Sequence, residues 1–343
     1  MNRWLKLVCF TLTCFTAPSE TFAWNDAGHL TIARIAWDTL TEGDRIAVVT
    51  ILREHPHLDA LLLKNCPAEA SQAEWIFLRT AVWADYIRPP KSIARDDVPT
   101  HPLHKFHRGP WHYVNFACTM GQAEDEMPTK PLANETNILE QLDLSMSVLS
   151  NSAAEDEGRV ADLSDSQNRA VRMTWLFHLI GDLHQPLHCA TLIDRTLFPD
   201  PPFSDQGGNK LAIRGDVQEM PKNLHWYWDG VFSTESDFAQ IKRHAERLTH
   251  DPALSPALLA ELERHPEFIQ WAAESYQIAK TDVYLNGQLK LKRWEDFVTN
   301  QISANDVPVL SPTDAAQATK VAQRRVALAG YRLAAKLREI VAK

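Results

Sequence analysis

Residues 168–188 read NRAVRMTWLFHLIGDLHQPLH, and the fold turns on this stretch. Val171, Leu176, Phe177, Ile180 and Leu183 recur at helical spacing, which predicts a helix over 168–183. Pro186 cannot continue it, so the helix ends or kinks just before. His178 and Asp182 stand at i and i+4 and share a face. Leu176, Phe177, Leu179, Ile180 and Leu183 surround them, so the face is read as buried rather than solvated, and a buried His and Asp need partners. Metal ligation supplies them. Asp182 has two oxygens and can bridge two ions, while a turn at Pro186 lets His188 reach a different one.

The same periodicity recurs outward from this segment. Ile32, Ile35, Ala36 and Leu40 follow it after Trp24, as do residues 71–83, 266–285 and 315–341. Strand signals are sparse; 210–217, after Gly207-Gly208, is the best short ribbon. Pro-rich loops lie at 89–90, 128–131 and 199–202, with no repeat and no shift in composition. One mainly α-helical domain over residues 24–343 is expected.

The first 23 residues read as a signal peptide. Arg3 and Lys6 make a basic start, the apolar run at 5–15 is too short to span a bilayer, and Thr21-Phe22-Ala23 offers a cleavage site before Trp24. No later stretch is long and apolar enough to be a transmembrane helix. A soluble exported protein, periplasmic or secreted, is expected. The net charge is −9, which excludes a general nucleic-acid binder acting through a basic surface. Of the five cysteines, Cys66, Cys118 and Cys189 remain after cleavage, an odd set that cannot build a disulfide framework. Cys189, next to His188, reads as a buried apolar residue. Asn134-Glu135-Thr136 is a glycosylation sequon.

Further ligand patterns lie along the chain. His225-Trp-Tyr-Trp-Asp229 repeats the i, i+4 pairing among aromatics. Trp83-Ala-Asp85-Tyr-Ile-Arg88 puts a carboxylate at the end of an apolar helix, with Arg88 about a turn away. That pair is either a surface ion pair or a metal ligand beside a phosphate-binding guanidinium. Among His101, His104, His107 and His112, the apolar context of Trp111-His112-Tyr113-Val114 favours His112 as the buried one; the other three read as solvated. Cleavage would give Trp24 a free amine five positions before His29, and both can ligate. The side chains are then five histidines and three aspartates: His29, His112, His178, His188, His225, Asp85, Asp182 and Asp229. Nitrogen and carboxylate donors without thiolate suit catalytic zinc with open positions. The set is too large for one tetrahedral ion and implies two or three. Clustered ions can generate hydroxide at neutral pH and clamp both oxygens of an in-line phosphoryl displacement.

With these motifs the chain resembles the zinc-dependent type I single-strand nucleases of fungi, plants and bacteria (the S-one/P-one family). The likeness runs from Trp24-Asn-Asp-Ala-Gly28-His29 through W-A-D-x-x-R, W-H-Y-V-N, H-x-x-x-D-x-H-Q-P-L-H, G-G-N and N-L-H-x-x-W-D, in order, to the Ala-rich terminal helix. It implies an all-α fold of the phospholipase C/nuclease kind and three zinc ions. One would be held by Asp85, His112, His178 and Asp182. A second would be held by the amine and carbonyl of Trp24, with His29 and Asp182. The third would be held by His188, His225 and Asp229. It further implies a water between the first two ions as nucleophile, a third ion assisted by Arg88 at the departing 3′ oxygen, Asn209 as a substrate contact, and a nucleobase pocket at Tyr113 and Asn115. The implied substrate is single-stranded nucleic acid, cut to 5′-phosphorylated products, with 3′-nucleotidase activity beside it. No protein partner is implied, so a monomer is expected.

The chain departs from the family at Asn25-Asp26, where a Gly-containing dipeptide is usual, and at Asn115, where fungal enzymes carry Asp. The departure after Trp24 is read as of little consequence. With too few cysteines for the eukaryotic disulfides, the chain looks more like a bacterial member. Two other classes fit less well. Zinc-dependent phospholipase C shares the fold and the N-terminal Trp but ends its third site with Glu, where this chain has Asp229. A structural zinc protein is usually closed and thiolate-rich, which this set is not.

Overall fold

Several helices start at a local side-chain cap: Asn25, Thr41, Ser71, Ser164, Asp237 and Ser311 each accept from the backbone of the first turn. The structure, a computed structural model, describes residues 24–90, 92–119, 127–132, 136–150 and 158–342. The expected signal peptide and Asn134 of the sequon lie outside them. The helices among the described residues include α1 (Asp26–Thr39), α2 (Glu42–Leu52), α3 (Gln72–Thr80), α4 (Trp83–Tyr86), α5 (Ile138–Ser150) and α6 (Asp165–Leu183). Then follow α7 (Leu224–Gly230), α8 (Phe238–His250), α9 (Glu261–Arg264), α10 (Phe268–Ile278), α11 (Trp294–Val298) and α12 (Pro312–Val341). The strands are short: β1 (Phe116–Cys118), β2 (Ala190–Leu192), β3 (Ala212–Ile213) and β4 (Lys222–Asn223). The fold is mainly α, as expected, with a small β component.

Helix α6 begins with a capping box: Ser164 accepts from the Gln167 backbone N–H, and the Gln167 side chain accepts from that of Ser164. From Ala170 to Leu183 every residue is buried. The helix is therefore enclosed on all sides, with α1, α2, α5 and α12 among the elements packed on it. Even Arg172 is inside, where Gln141 accepts its hydrogen bond at 2.9 Å and its guanidinium lies over Trp111.

The segment 71–83 differs from the continuous helix expected there. Helix α3 stops at Thr80, and α4 restarts at Trp83. The break has a physical use, because the Ala81 carbonyl leaves the helical ladder and accepts from His178 Nδ1 at 2.8 Å. Residues 266–285 form α10 and continue as a wider turn at Ala279–Val283. Helix α12 starts a little earlier than expected, at Pro312, with Ser311 as its cap.

The ribbon expected at 210–217 is present. β3 pairs antiparallel with β4, in register Ala212↔Asn223, and β4 leads straight into α7. The parallel pair β1–β2, in register Phe116↔Ala190, has no counterpart in the sequence reading. Strands this short show no alternation to detect. Their pairing, with Val114 N–H donating to His188 O at 2.8 Å, lashes the His112 segment to the His188 segment. Cys66, Cys118 and Cys189 are all free thiols. Burial pushes Cys189 up to about 12, so it stays a protonated apolar residue, as expected.

Candidate metal centre

Three histidines are aimed by their backbones. His178 Nδ1 donates to Ala81 O at 2.8 Å, His188 Nδ1 to His112 O at 2.5 Å, and His225 Nδ1 to Gly207 O at 2.6 Å. Each bond fixes the tautomer and leaves Nε2 as a lone-pair donor, the usual support for a metal-binding imidazole. The Gly207 carbonyl is available because the chain turns with φ +62°, where a Cβ would also meet Leu187 O at 2.6 Å.

These donors converge. His178 Nε2 lies 3.3 Å from Asp182 Oδ2 and 3.8 Å from Asp85 Oδ1. His112 Nδ1 lies 2.9 Å from Asp182 Oδ2 and 3.1 Å from His178 Nε2. His29 stacks on His178 at 4.3 Å, with Nε2 3.2 Å from Asp182 Oδ1. Next to this group, His188 Nε2 and His225 Nε2 are 3.1 Å apart, and His225 Nε2 is 3.6 Å from Asp229 Oδ1. Ligand atoms come within metal-sharing reach in three groupings: His29–Asp85–His178, His112–His178–Asp182 and His188–His225–Asp229. Asp182 is the hub, since His29, His112 and His178 all face it.

The residues fit a metal by their unmet needs. His29 Nε2, His112 Nε2, Asp182 Oδ1 and Asp229 Oδ2 are buried with no hydrogen-bond partner. A buried polar atom left this way costs about 1–3 kcal/mol. The two Nε2 atoms of His188 and His225 are both acceptors and cannot bond each other. Cations between these groups would satisfy His29 Nε2, the two carboxylate oxygens and the facing pair of Nε2 atoms.

The titration behaviour agrees. Burial pushes His112 down to about 4 and His188 to about 3, so both are neutral and able to ligate. Burial would lower His178 too, but the Asp182 and Asp85 carboxylates win and raise it to about 9; a proton on this ring thus stands in for a cation between the carboxylates, and a metal would replace it at Nε2. Burial, with Asp85 and Asp182 nearby, raises Asp229 well above the carboxylate range despite the Gln185 amide. Three carboxylates this close need positive charge to ionise together.

Trp24 is fully buried beside this centre. Its neighbour Asn25 donates its backbone N–H to Asp229 O at 3.1 Å and its side-chain N–H to Ser233 O at 2.7 Å, and caps α1 at Gly28. The bond to Asp229 comes from the backbone, and what the Asn25 side chain itself adds is the cap on α1 and the tie to Ser233, just past α7. Asp26 takes part as well, accepting from the Tyr86 hydroxyl at 2.5 Å.

A cleft of about 620 Å³ opens over the centre. Arg88, His112, Tyr113, Asn115, His188, Asn209 and His225 line it, so all the expected substrate residues meet in one place. Arg88 also rests 3.4 Å from Asp85 Oδ1 and shares its guanidinium between carboxylate and cleft. Asn209 donates to Gln206 O at 2.8 Å, and its Oδ1 has no partner.

Two histidines need correction. His104 is buried rather than solvated, and its Nδ1 donates to Ile87 O at 2.8 Å. His107 lines the cleft instead of standing in solvent, and burial, then Arg88 and Arg108, pushes it down to about 4. Spacing alone could not separate these two from their neighbours. Two supporting residues stand outside the expected site. Gln185 donates to Asp229 Oδ1 at 2.7 Å and holds that carboxylate toward His225. Gly181 leaves room for His29, since a Cβ there would lie 2.5 Å from His29 Nδ1. An isolated glycine in an otherwise apolar helix was the one available hint of such close approach.

Over 229 residues the chain is 24% identical to Endonuclease 3 of Arabidopsis thaliana, a match covering 66% of this chain and 60% of the plant protein. The chain thus spans less than two thirds of that relative's length. The S1/P1 Nuclease family model matches residues 24–342, starting at Trp24 and taking in every ligand candidate. On that match, and with this centre at its heart, the chain belongs to the S1/P1 nuclease family.

Proposed function

We propose that residues 24–343 act as one zinc-dependent nuclease unit that hydrolyses single-stranded DNA and RNA to 5′-phosphorylated products and removes the 3′-phosphate of nucleotides. The observation that carries this reading is the meeting of unpartnered buried donors with a cleft lined by Arg88, Tyr113, Asn115 and Asn209. Asp85, His112, His178 and Asp182 would hold one ion. Trp24, His29 and Asp182 would hold a second, and His188, His225 and Asp229 a third. When bound, zinc lowers the pKa of water and offsets charge on the phosphoryl oxygens.

The chain's own residues do the rest. Arg88 presents a planar fork suited to phosphate oxygens. Asn209 offers an amide at the cleft wall, Tyr113 a half-exposed ring for base stacking and Asn115 a polar edge. Single strands are favoured because a recessed centre must receive one splayed phosphate and an unstacked base. Export before Trp24 is cleaved free is part of the proposal; no described helix is long and apolar enough to cross a membrane.

The test offers the protein beginning at Trp24 heat-denatured DNA, duplex DNA and phosphatidylcholine side by side. Faster cleavage of denatured DNA, leaving 5′-phosphates, is expected. Hydrolysis of the lipid alone would transfer the assignment to a phospholipase.

A further inference from the structure

Beside the cleft lies a second cavity of about 290 Å³ that the reaction does not use. Asn209 lines both, so the two share a wall at that residue. That wall is firmly built. Ala212 N–H donates to Lys292 O and Trp294 N–H donates to Lys210 O, each at 2.8 Å. The segment carrying Trp294 is thereby stitched to Lys210 and Ala212, the stretch that leads from Asn209 into β3.

The lining is mostly apolar, with Phe198 and Trp294 as its rings. Lys210 supplies a cation, and among the described residues its ammonium forms no ion pair and lies over the face of Phe198, at 5.9 Å. Arg293 is already committed, to Glu295 at 2.6 Å and Asp296 at 3.1 Å. Asp200, at the rim, is exposed, where solvent screens its charge. An aromatic slot with one available cation, sharing a wall with a cleft for nucleic acid, matches the chemistry of a single nucleotide: base on ring, phosphate on ammonium.

We propose that this slot is an additional subsite that takes one nucleotide of the substrate strand beyond those held in the cleft. It rests on the nuclease reading above. Trp294 stacks on the base and Lys210 contacts the adjoining phosphate, so the slot strengthens binding of longer strands without touching the reacting atoms. It is too small for a folded partner and lies near the lower end of ordinary ligand sites.

The experiment measures kcat and KM for single-stranded oligonucleotides from the dinucleotide upward, with wild-type, Trp294→Ala, Trp294→Phe and Lys210→Gln proteins. Wild-type KM should drop once the strand is long enough to reach the slot. Trp294→Ala should raise KM for long strands by roughly 5- to 150-fold, the worth of one stacked base. Trp294→Phe, which keeps a ring, should restore most of that difference. Lys210→Gln should raise the same KM and flatten its salt dependence. KM that is independent of length in a wild-type protein active on the dinucleotide would overturn the subsite and leave the nuclease reading standing. An equal loss on short and long substrates in Trp294→Ala and Lys210→Gln would also overturn it, by showing a merely structural role. A wild-type protein that cleaves no nucleic acid would remove both readings.

Discussion

Asp182 faces three histidines because each neighbour leaves it room, and the smallest of them is Gly181. His29 fills the space that a side chain at 181 would take. Gly181→Ala should displace the ring, cut metal bound at Asp182 and lower activity at least about tenfold, the usual scale when a ligand's support is lost. Metal content and kcat of the folded variant check this. Gln185 acts at the other end, on Asp229 Oδ1. Gln185→Leu should weaken zinc at His188, His225 and Asp229 by about 10- to 100-fold, measured by titration against a competing chelator. Unchanged affinity would mean that the amide does not orient Asp229. The gathering of these candidate ligands was legible in the sequence, because His178–Asp182 and His225–Asp229 each share a helix face. Gly181, Gln185 and Asn25 were not. Their roles depend on groups far away in sequence, and no local spacing encodes them.

The ligands on α6 are braced at its C-terminal end by α10 and α12. Ser275 donates to Leu183 O at 2.5 Å, Arg325 donates to His184 O at 3.2 Å, and Arg332 reaches His184 Nε2 at 2.8 Å. His184, inside the ligand motif, thus belongs to this brace and not to the metal centre. Glu274 joins the two arginines, pairing with Arg325 and, at 2.6 Å, with Arg332. Removing the charge of such a buried hub, as in Glu274→Gln, should destabilise the protein by about 3–5 kcal/mol in urea unfolding. The pH dependence has a definite sign. Burial alone would raise Glu274, but Arg332 and Arg325 together hold it well below the ordinary carboxylate range. Its stabilisation is therefore complete above that range and is lost as the pH falls toward its depressed folded value. Acid should destabilise wild type more than Glu274→Gln, and parallel pH profiles would contradict this. Long helices were readable from period alone, α6 and α12 above all. The break between α3 and α4 and the pairing of β1 with β2 were not, because tertiary partners, Ala81 O with His178 and Phe116 with Ala190, decide them.

The molecule as a whole carries net charge −9 and three buried aspartates at its centre, so its interaction with a polyanion has to rest on local cations and ring stacking. Trp24 is enclosed at the start of α1, which makes the chain ahead of it a structural matter. A protein retaining residues before Trp24 should lose the ion shared with His29 and Asp182, and most activity with it. An uncleaved form with full metal content and activity would refute the role of the Trp24 amine. Hydrolysis should depend on metal held by the buried His–Asp centre. Metal analysis of the protein beginning at Trp24, with single-strand hydrolysis measured before chelation, after it and after zinc is returned, tests that most directly. About three zinc ions per chain, with activity lost on chelation and regained with zinc, is the result predicted from the clustered donors. A protein that cuts single strands equally well with no bound metal would contradict it.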